Sequence, residues 1–418
     1  MLLVYYNYAN YTKLTQPLGR TVITDSAIQS AEVRFASSLQ DIDAQQWNQQ
    51  AGSSSPFLCH EFLLAMELSG CATAKSGWQA QHVTVVSPQG KLLAVMPLYL
   101  KHNSYGEYVF DWSWADAFQT RGYSYYPKLV TAVPYTPSSG QRVLTNQEDL
   151  LPELIPLILA AVKTRAQTCG ASSWHVLFPT PEQNRLLTRP DMPSRMGCQF
   201  HWFNDGYSDF TGFLHALNSR KRKNIRKERT AVVEQGITFE WISGAEICPR
   251  DWETFFVFYQ NTYLVRGRSA YLNLDFFQQL GRTMADKLLL LFARHHGKAV
   301  AGALFFRTRE GLFGRYWGSA ESFQFLHFET CYYQGIDYSI AHGLRHFDAG
   351  AQGEHKIQRG FRPVATWSNH WIAEPVFARA IDDYLQREKQ NTLAYMKEAE
   401  SLLPFRQLSS AETPERQD

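Results

Sequence analysis

From residue 31 onward the apolar positions switch repeatedly between helical and alternating spacing, and that switching predicts an α/β chain. SPFLCHEFLLAMELSG (55–70) carries apolar residues at helical spacing between a Ser55 cap and Gly70. QHVTVVS, a Pro-Gln-Gly turn and KLLAVMPLYLK predict a hairpin. After an aromatic-rich stretch the pattern predicts a helix at 147–168, the strand SSWHVLF (172–178), a short helix at 181–188 and the strand CQFHWF.

The second half repeats this order. Helices are expected at 251–264 and 273–286, followed by three strands within KLLLLFARHHGKAVAGALFFRTREGLFGRYWG, joined at His-Gly and Glu-Gly turns. A helix over 325–344, the strand RHFDAGA, a short segment QGEHKIQRGF and the strand ATWSNHWIA close the unit. Hairpins joined by single crossover helices predict mixed sheets with helices on their faces. The expectation is therefore two similar α/β domains, 31–205 and 206–390. Residues 1–30 would form an N-terminal extension, and 391–418 a helix end and polar tail.

Charge and cysteine usage narrow the function. Lys and Arg total 41 against 39 acidic residues, so any affinity for a polyanion must come from a local patch. The six cysteines contain no CxxC, which argues against a disulfide scaffold or a zinc knuckle and fits a reducing, cytoplasmic setting. No segment is long and apolar enough to span a bilayer, and the N-terminus lacks the basic region of a signal peptide. His60-Glu61 begins like HExxH, but position 64 is leucine, and no GxSxG, GxGxxG or GxxxxGK[ST] is present. No metal site is expected.

Four stretches remain as candidates for chemistry. SRKRKNIRKER (219–229) puts seven basic residues on a helix whose apolar stripe is Leu214, Leu217, Ile225 and Val232. Arg222, Lys223 and Arg226 are the candidate phosphate ligands, since guanidinium forks suit phosphate oxygens; a solvated basic face is the alternative. Arg315, Gly318 and Ala320 match R-x-x-G-x-A, a pattern that cradles pyrophosphate when it lies between a strand and a helix. In the following helix Glu329 lies beside the apolar stripe of Phe325, Phe328 and Tyr332, flanked by His327 and Tyr333. An apolar setting would raise its pKa and suit it as a base; an ion pair with a buried arginine such as Arg315 is the competing expectation. Gly335, costly inside a helix, implies close approach of another group. His355, Lys356 and Arg359 follow the next strand, where open sheets place their sites. Asp111 and Trp114, in FDWSWADAF, suit an amine-bearing or sugar-bearing ligand, or else an aromatic core.

These stretches, with YYPKLVTAVPYTP, GRYWG, FLHFETCYYQGIDY and GAQGEHKIQRGF, resemble the FemAB-like family of N-acyltransferases within the GNAT superfamily, over about residues 55–390. The resemblance implies a tandem of two GNAT-like domains and transfer of an acyl or aminoacyl group to an amine, with a peptidoglycan precursor as a candidate acceptor. It implies acyl-CoA or aminoacyl-tRNA as co-substrate, no covalently bound cofactor, a small-molecule or peptide amine partner, possible tRNA contact, and no DNA. More distantly, SRKRKNIRKERTAVVEQG resembles the helix of Fem peptidyltransferases whose basic residues contact phosphates, a role that would fall on Arg222 and Arg226. The long coiled-coil arm of some Fem ligases is missing. On this reading Glu329 is the favoured base with His327 and His355 in reserve. Arg315 and Gly318 would hold donor phosphates, Lys356 and Arg359 would hold donor phosphates or the carboxylate of an acceptor, and Asp111, Trp114, Tyr332 and Tyr333 would contact the acceptor. A non-catalytic binding module on the same scaffold, or an RNA-binding protein, are the alternatives.

Overall fold

The computed structural model describes residues 30–351 and 353–406. The expectations for residues 1–29 and for the tail 407–418 lie outside them. Fourteen strands occur among the described residues: β1 (Glu32–Ala36), β2 (Trp78–Ala80), β3 (His82–Val86), β4 (Leu92–Met96), β5 (Tyr99–Lys101), β6 (Lys128–Thr131), β7 (Ser173–Leu177), β8 (Ser194–Phe203), β9 (Ile237–Ser243), β10 (Leu288–His295), β11 (Lys298–Arg307), β12 (Gly311–Ser319), β13 (His346–Asp348) and β14 (Arg362–Ile372). The helices are α1 (Ala44–Ala51), α2 (His60–Leu68), α3 (Trp112–Thr120), α4 (Leu151–Thr168), α5 (Pro181–Leu187), α6 (Phe210–Ala216), α7 (Ser219–Glu234), α8 (Pro249–Leu264) and α9 (Leu274–Thr283). Helix α10 is assembled from Leu326–Phe328, a π-helical turn Glu329–Tyr333 and Gln334–Ala341, and α11 spans Pro375–Ser401.

Eleven strands form one mixed sheet in the order β2-β5-β6-β7-β14-β8-β13-β12-β11-β10-β9, while β1, β3 and β4 form a second, three-stranded sheet. The large sheet has an internal echo. Helix α4 crosses over between the parallel strands β6 and β7, and α10 crosses over between the parallel strands β12 and β13. Each half then gives away its last strand. β8 lies antiparallel to β13 of the second half, and β14 lies antiparallel to β7 of the first. β8 and β14 pair with each other from Arg362↔His201 to Asn369↔Ser194, and this pair forms the seam.

Packing also ties the halves together. Phe57, just before α2, sits 5.0 Å from Phe306 and 5.5 Å from Phe313, edge to face, and Phe62 sits 5.7 Å from Phe276. Such aromatic pairs add about 0.5–1.5 kcal/mol each beyond the area they bury.

The predicted stripe of α7 needs correction. Only Ile225 and Val232 are buried on that helix; Leu214 belongs to α6 and Leu217 caps it. The chain turns between the two helices because the Asn218 side chain accepts a hydrogen bond from the Lys221 amide at 3.0 Å. The aromatic stretch after residue 105 yields α3, which was not expected.

Gly318, expected in a pyrophosphate loop, instead lies inside β12 opposite Gly302. A Cβ there would stand 1.8 Å from the Phe258 carbonyl oxygen of α8, so glycine is needed for the helix to pack on the strand. Gly318→Ala is expected to destabilise the fold by about 1–3 kcal/mol, read as a lower melting temperature. Gly335 has a similar cause: its Cβ would stand 2.4 Å from the Phe347 ring, so the approaching group is a core side chain.

Candidate active site at the fork between two parallel strands

β12 and β13 stay paired only from Gly311↔His346 to Phe313↔Asp348. Beyond that point β12 runs on to Ser319 while the chain after Asp348 turns away. A bulge lies where the strands separate. The β11–β12 register jumps from Leu304↔Tyr316 to Phe305↔Gly314, leaving Arg315 as the extra residue, and a bulge bends and twists its strand. The fork opens into a cavity of about 500 Å³. Its walls include Tyr259, Tyr263 and Arg266 from the end of α8, Tyr316 and Trp317 from β12, His327 and Tyr332 from α10, and Gly350, Gly353 and His355 after β13. Tyr108 and Tyr135 reach it from the first half.

Arg315 pins the base of the fork. Its guanidinium donates to the Gly314 carbonyl at 3.0 Å, to the Asp348 carbonyl at 3.2 Å and to the Asp348 carboxylate at 2.5 Å. Burial pushes the Asp348 carboxyl up, but Arg315, His201 and the Gly350 amide outweigh it and hold it below the usual carboxylate range. Arg315 is thus a structural cation that spans the two diverging strands. It is not the pyrophosphate ligand expected from R-x-x-G-x-A, because that sequence forms a strand.

His355 and Tyr332 meet at the cavity wall, with the His355 Nε2 2.9 Å from the Tyr332 hydroxyl. Burial, then Arg359 and Lys356, lower the His355 pKa. The ring lies across Gly353, whose φ is +112° and where a Cβ would come within 2.4 Å of His355. Only glycine suits that conformation and that space. His327 stands beside them, its ring 5.4 Å from Tyr332 and 6.2 Å from His355. Burial, with the nearby His355 and Lys356, brings its pKa down to about 4, so it is neutral at physiological pH.

Glu329 lies elsewhere. It is buried and faces α7, where Arg229 donates to both its oxygens at 3.1 and 3.2 Å and Gln334 donates at 2.8 Å. It does not line the cavity. The π-turn rotates it away while leaving Tyr332 pointing in, a twist that α-helical spacing does not forecast. Burial raises its pKa, with Arg229 opposing. The competing expectation of an ion pair fits this geometry, with Arg229 in place of Arg315. Glu329→Gln is expected to lower the melting temperature and leave turnover of the folded fraction near normal.

Other candidates are drawn inward too. Lys356 is fully buried, and its ammonium donates to the Gly350 carbonyl, fixing the chain that edges the cavity. Burial brings its pKa down to about 8, with Asp348 opposing. Arg359 donates to Glu228 of α7 at 2.7 Å and stacks 3.6 Å over the Phe328 ring, so it is a tie between elements rather than a phosphate ligand at the cavity. Tyr333 is buried and donates to Glu228. Asp111 and Trp114 are buried far along the sheet. Asp111 pairs with Lys128 and accepts from Tyr125 at 2.6 Å, so its carboxylate is engaged inside the protein, away from the cavity, rather than presented to the amine-bearing or sugar-bearing ligand expected for it.

Helix α7 packs against the π-turn and the 354–359 segment. Arg220, Lys223, Arg226 and Lys227 remain exposed and Arg222 half-buried, and none has an ion-pair partner among the described residues. These cations therefore sit on the outside of the cavity wall. Sequence reasoning missed the cavity's tyrosines at 108, 135, 259, 263 and 316, because they come from four distant segments with no shared motif.

Histidine burial has a consequence for stability. The pKa values of His175, His201 and His327 are pushed down to about 3, 4 and 4 from 6.5, in each case mainly by burial. Between those values and 6.5 the unfolded chain binds more protons than the folded one, so stability falls as pH drops through that window. The melting temperature is expected to be lower at pH 5 than at pH 7.

Among solved structures the chain is similar to FemX, at 12% identity and a TM-score of 0.51, covering 84% of this chain and 100% of that one. It is also similar to the C-terminal domain of a putative lysylphosphatidylglycerol synthetase from Agrobacterium fabrum, at 11% identity and a TM-score of 0.50, covering 83% and 96%. Identities this low establish the shared fold alone. No curated protein sequence matches the chain significantly. The FemAB-like model, described as peptidoglycan biosynthesis/recognition, matches residues 38–407, nearly the whole chain. With the tandem α/β architecture and its forked parallel strands already in place, the protein belongs to the FemAB-like family.

Proposed function

We propose that this protein is an aminoacyltransferase that moves an aminoacyl group from aminoacyl-tRNA to the amine of a peptide acceptor of the peptidoglycan-precursor class. The observation that carries the reading is the cavity at the β12–β13 fork with the His355–Tyr332 pair in its wall. In the reaction the acceptor amine attacks the ester carbonyl, an N–C bond forms and the C–O bond to the ribose breaks. The amine proton passes to the Tyr332 oxygen as the tyrosine proton passes to His355 Nε2, and it is then returned to the ribose oxygen. A neutral imidazole next to the hydroxyl supports that relay. His327, also neutral and in the cavity wall, is assigned to hydrogen-bond the ligand.

Two features favour aminoacyl-tRNA over acyl-CoA as the donor. The residues expected to cradle a pyrophosphate are occupied by strand pairing and by the Asp348 ion pair. The exposed cations of α7 form an unneutralised strip on the outer wall, which suits a polynucleotide backbone.

The test is transfer of radiolabelled amino acid from a charged tRNA mixture to an amine-bearing muramyl peptide, with acetyl-CoA as the rival donor. Arg222→Ala with Arg226→Ala is expected to raise the KM for tRNA about tenfold or more and flatten its salt dependence, with the melting temperature unchanged. Transfer from acetyl-CoA but not from tRNA would overturn the donor assignment.

A further inference from the structure

The end of α8 carries a surface feature that the transfer reaction does not use. Thr262, Tyr263 and Arg266 line the cavity, and the chain between and beyond them forms its rim. The helix stops in a tight turn. The Gly267 amide donates to the Leu264 carbonyl at 2.9 Å and the Arg268 amide donates to the Tyr263 carbonyl at 3.1 Å, with Gly267 at φ +66°. This turn lifts Leu264 and Val265 into solvent at 63% and 82% exposure. Arg266 and Arg268 are exposed beside them, and residues 262–274 include no acidic residue.

A second exposed apolar segment flanks a residue of the cavity wall. Tyr108 lines the cavity, and its loop exposes Tyr105, Phe110 and Trp112. The two segments are joined: the Tyr135 amide donates to the Gly106 carbonyl at 3.1 Å, Tyr135 stacks on Tyr271 at 4.8 Å, and Tyr271 meets Tyr263 at 5.7 Å.

We infer that this rim docks on an anionic lipid surface, with Leu264 and Val265 entering the acyl boundary and Arg266 and Arg268 on the headgroups. Two adjacent aliphatic side chains on a projecting turn are unfavourable in water and gain by entering a bilayer. Arginines next to them, in a stretch 262–274 without an acidic residue, match negative headgroups rather than a neutral or basic partner. The exposed tyrosine and tryptophan of the second segment suit the interface, where one end of the ring is wet. No helix among the described residues is long and apolar enough to cross a membrane, and the inferred contact is peripheral. Docking would present the cavity mouth to an acceptor held at the membrane.

The experiment is flotation of the full chain with vesicles of phosphatidylcholine alone and of phosphatidylcholine mixed equally with phosphatidylglycerol. Binding is expected only to the second, and is expected to weaken as salt is raised. Val265→Asp should reduce partitioning about tenfold or more, and Arg268→Gln should weaken it severalfold. Val265→Leu should bind as the wild type, and every variant should keep its melting temperature because the turn is exposed. A variant lacking the α7 arginines at 222 and 226 should also bind as the wild type, which separates this surface from the tRNA strip.

Absence of binding would overturn the inference, as would binding unchanged in Val265→Asp. So would a concentration-dependent dimer that Val265→Asp abolishes without any vesicle binding, which would make a second copy the occupant. Transfer to a soluble acceptor is untouched by any of these outcomes, so the docking surface and the proposed activity fail separately.

Discussion

Lys128→Met is expected to destabilise the protein by roughly 3–5 kcal/mol, the cost of leaving buried charge without its partner. Lys128 is fully buried at the start of β6 and donates to Ser104 at 2.8 Å, to Glu107 at 2.8 Å and to Asp111. Burial works against its charge, but the two carboxylates more than offset this and raise its pKa. In return Asp111, despite its own burial, is held down to about 2 by Lys128, His175 and Tyr125. A second lysine, Lys101, is 3.8 Å from Glu107, and burial draws its pKa down to about 7. Its ammonium donates to the Tyr105 carbonyl at 2.8 Å instead of to Asp111. Thermal or urea unfolding checks the loss. Adding Glu107→Gln and Asp111→Asn should recover part of it, because those changes remove the stranded charge. An unchanged melting temperature in Lys128→Met would show that the network contributes little.

The largest catalytic effect is expected at His355. His355→Ala should lower the transfer rate roughly 10²–10⁴-fold with the melting temperature unchanged, since the ring sits on the surface of the cavity wall. Tyr332→Phe should produce a loss of similar size, and the double variant should lose little more than either single one, because the two act as a unit. The wild-type rate should rise with pH through an apparent pKa below the ordinary histidine value, the direction set by burial and by Arg359 and Lys356. Normal turnover in His355→Ala would remove the relay, while the fork, its cavity and the donor assignment would stand to be tested by the tRNA assay.

The element order was legible in the chain because each element carries its own period and punctuation. Most of the expected helices and strands emerged within a few residues, down to the hairpin turns in 288–319, but β1, α1, α3 and β9 were not foreseen, and KLLAVMPLYLK divides between β4 and β5 of different sheets. The family signal was equally local, carried by runs such as GAQGEHKIQRGF. The basic helix α7 could also be read directly, since charge density needs no tertiary context.

What the sequence could not specify was direction. A 3.6-residue period places Glu329 beside Tyr332, but the π-turn at Glu329–Tyr333 sends one to Arg229 and the other into the cavity. R-x-x-G-x-A reads as a loop until strand pairing shows Gly318 packed under α8. Asp111 and Trp114 look like a ligand platform until Lys128, 17 residues further on, closes over the aspartate. The exchange of β8 and β14 between the halves, and the cavity built from widely separated segments of both halves, depend on contacts between residues far apart in the chain. Local pattern therefore determined which elements form and which family the chain joins. Tertiary packing alone decided which polar side chains are spent on holding the fold and which remain free to meet a substrate. That choice rests on burial and pairing energies between distant residues, which no window of sequence contains.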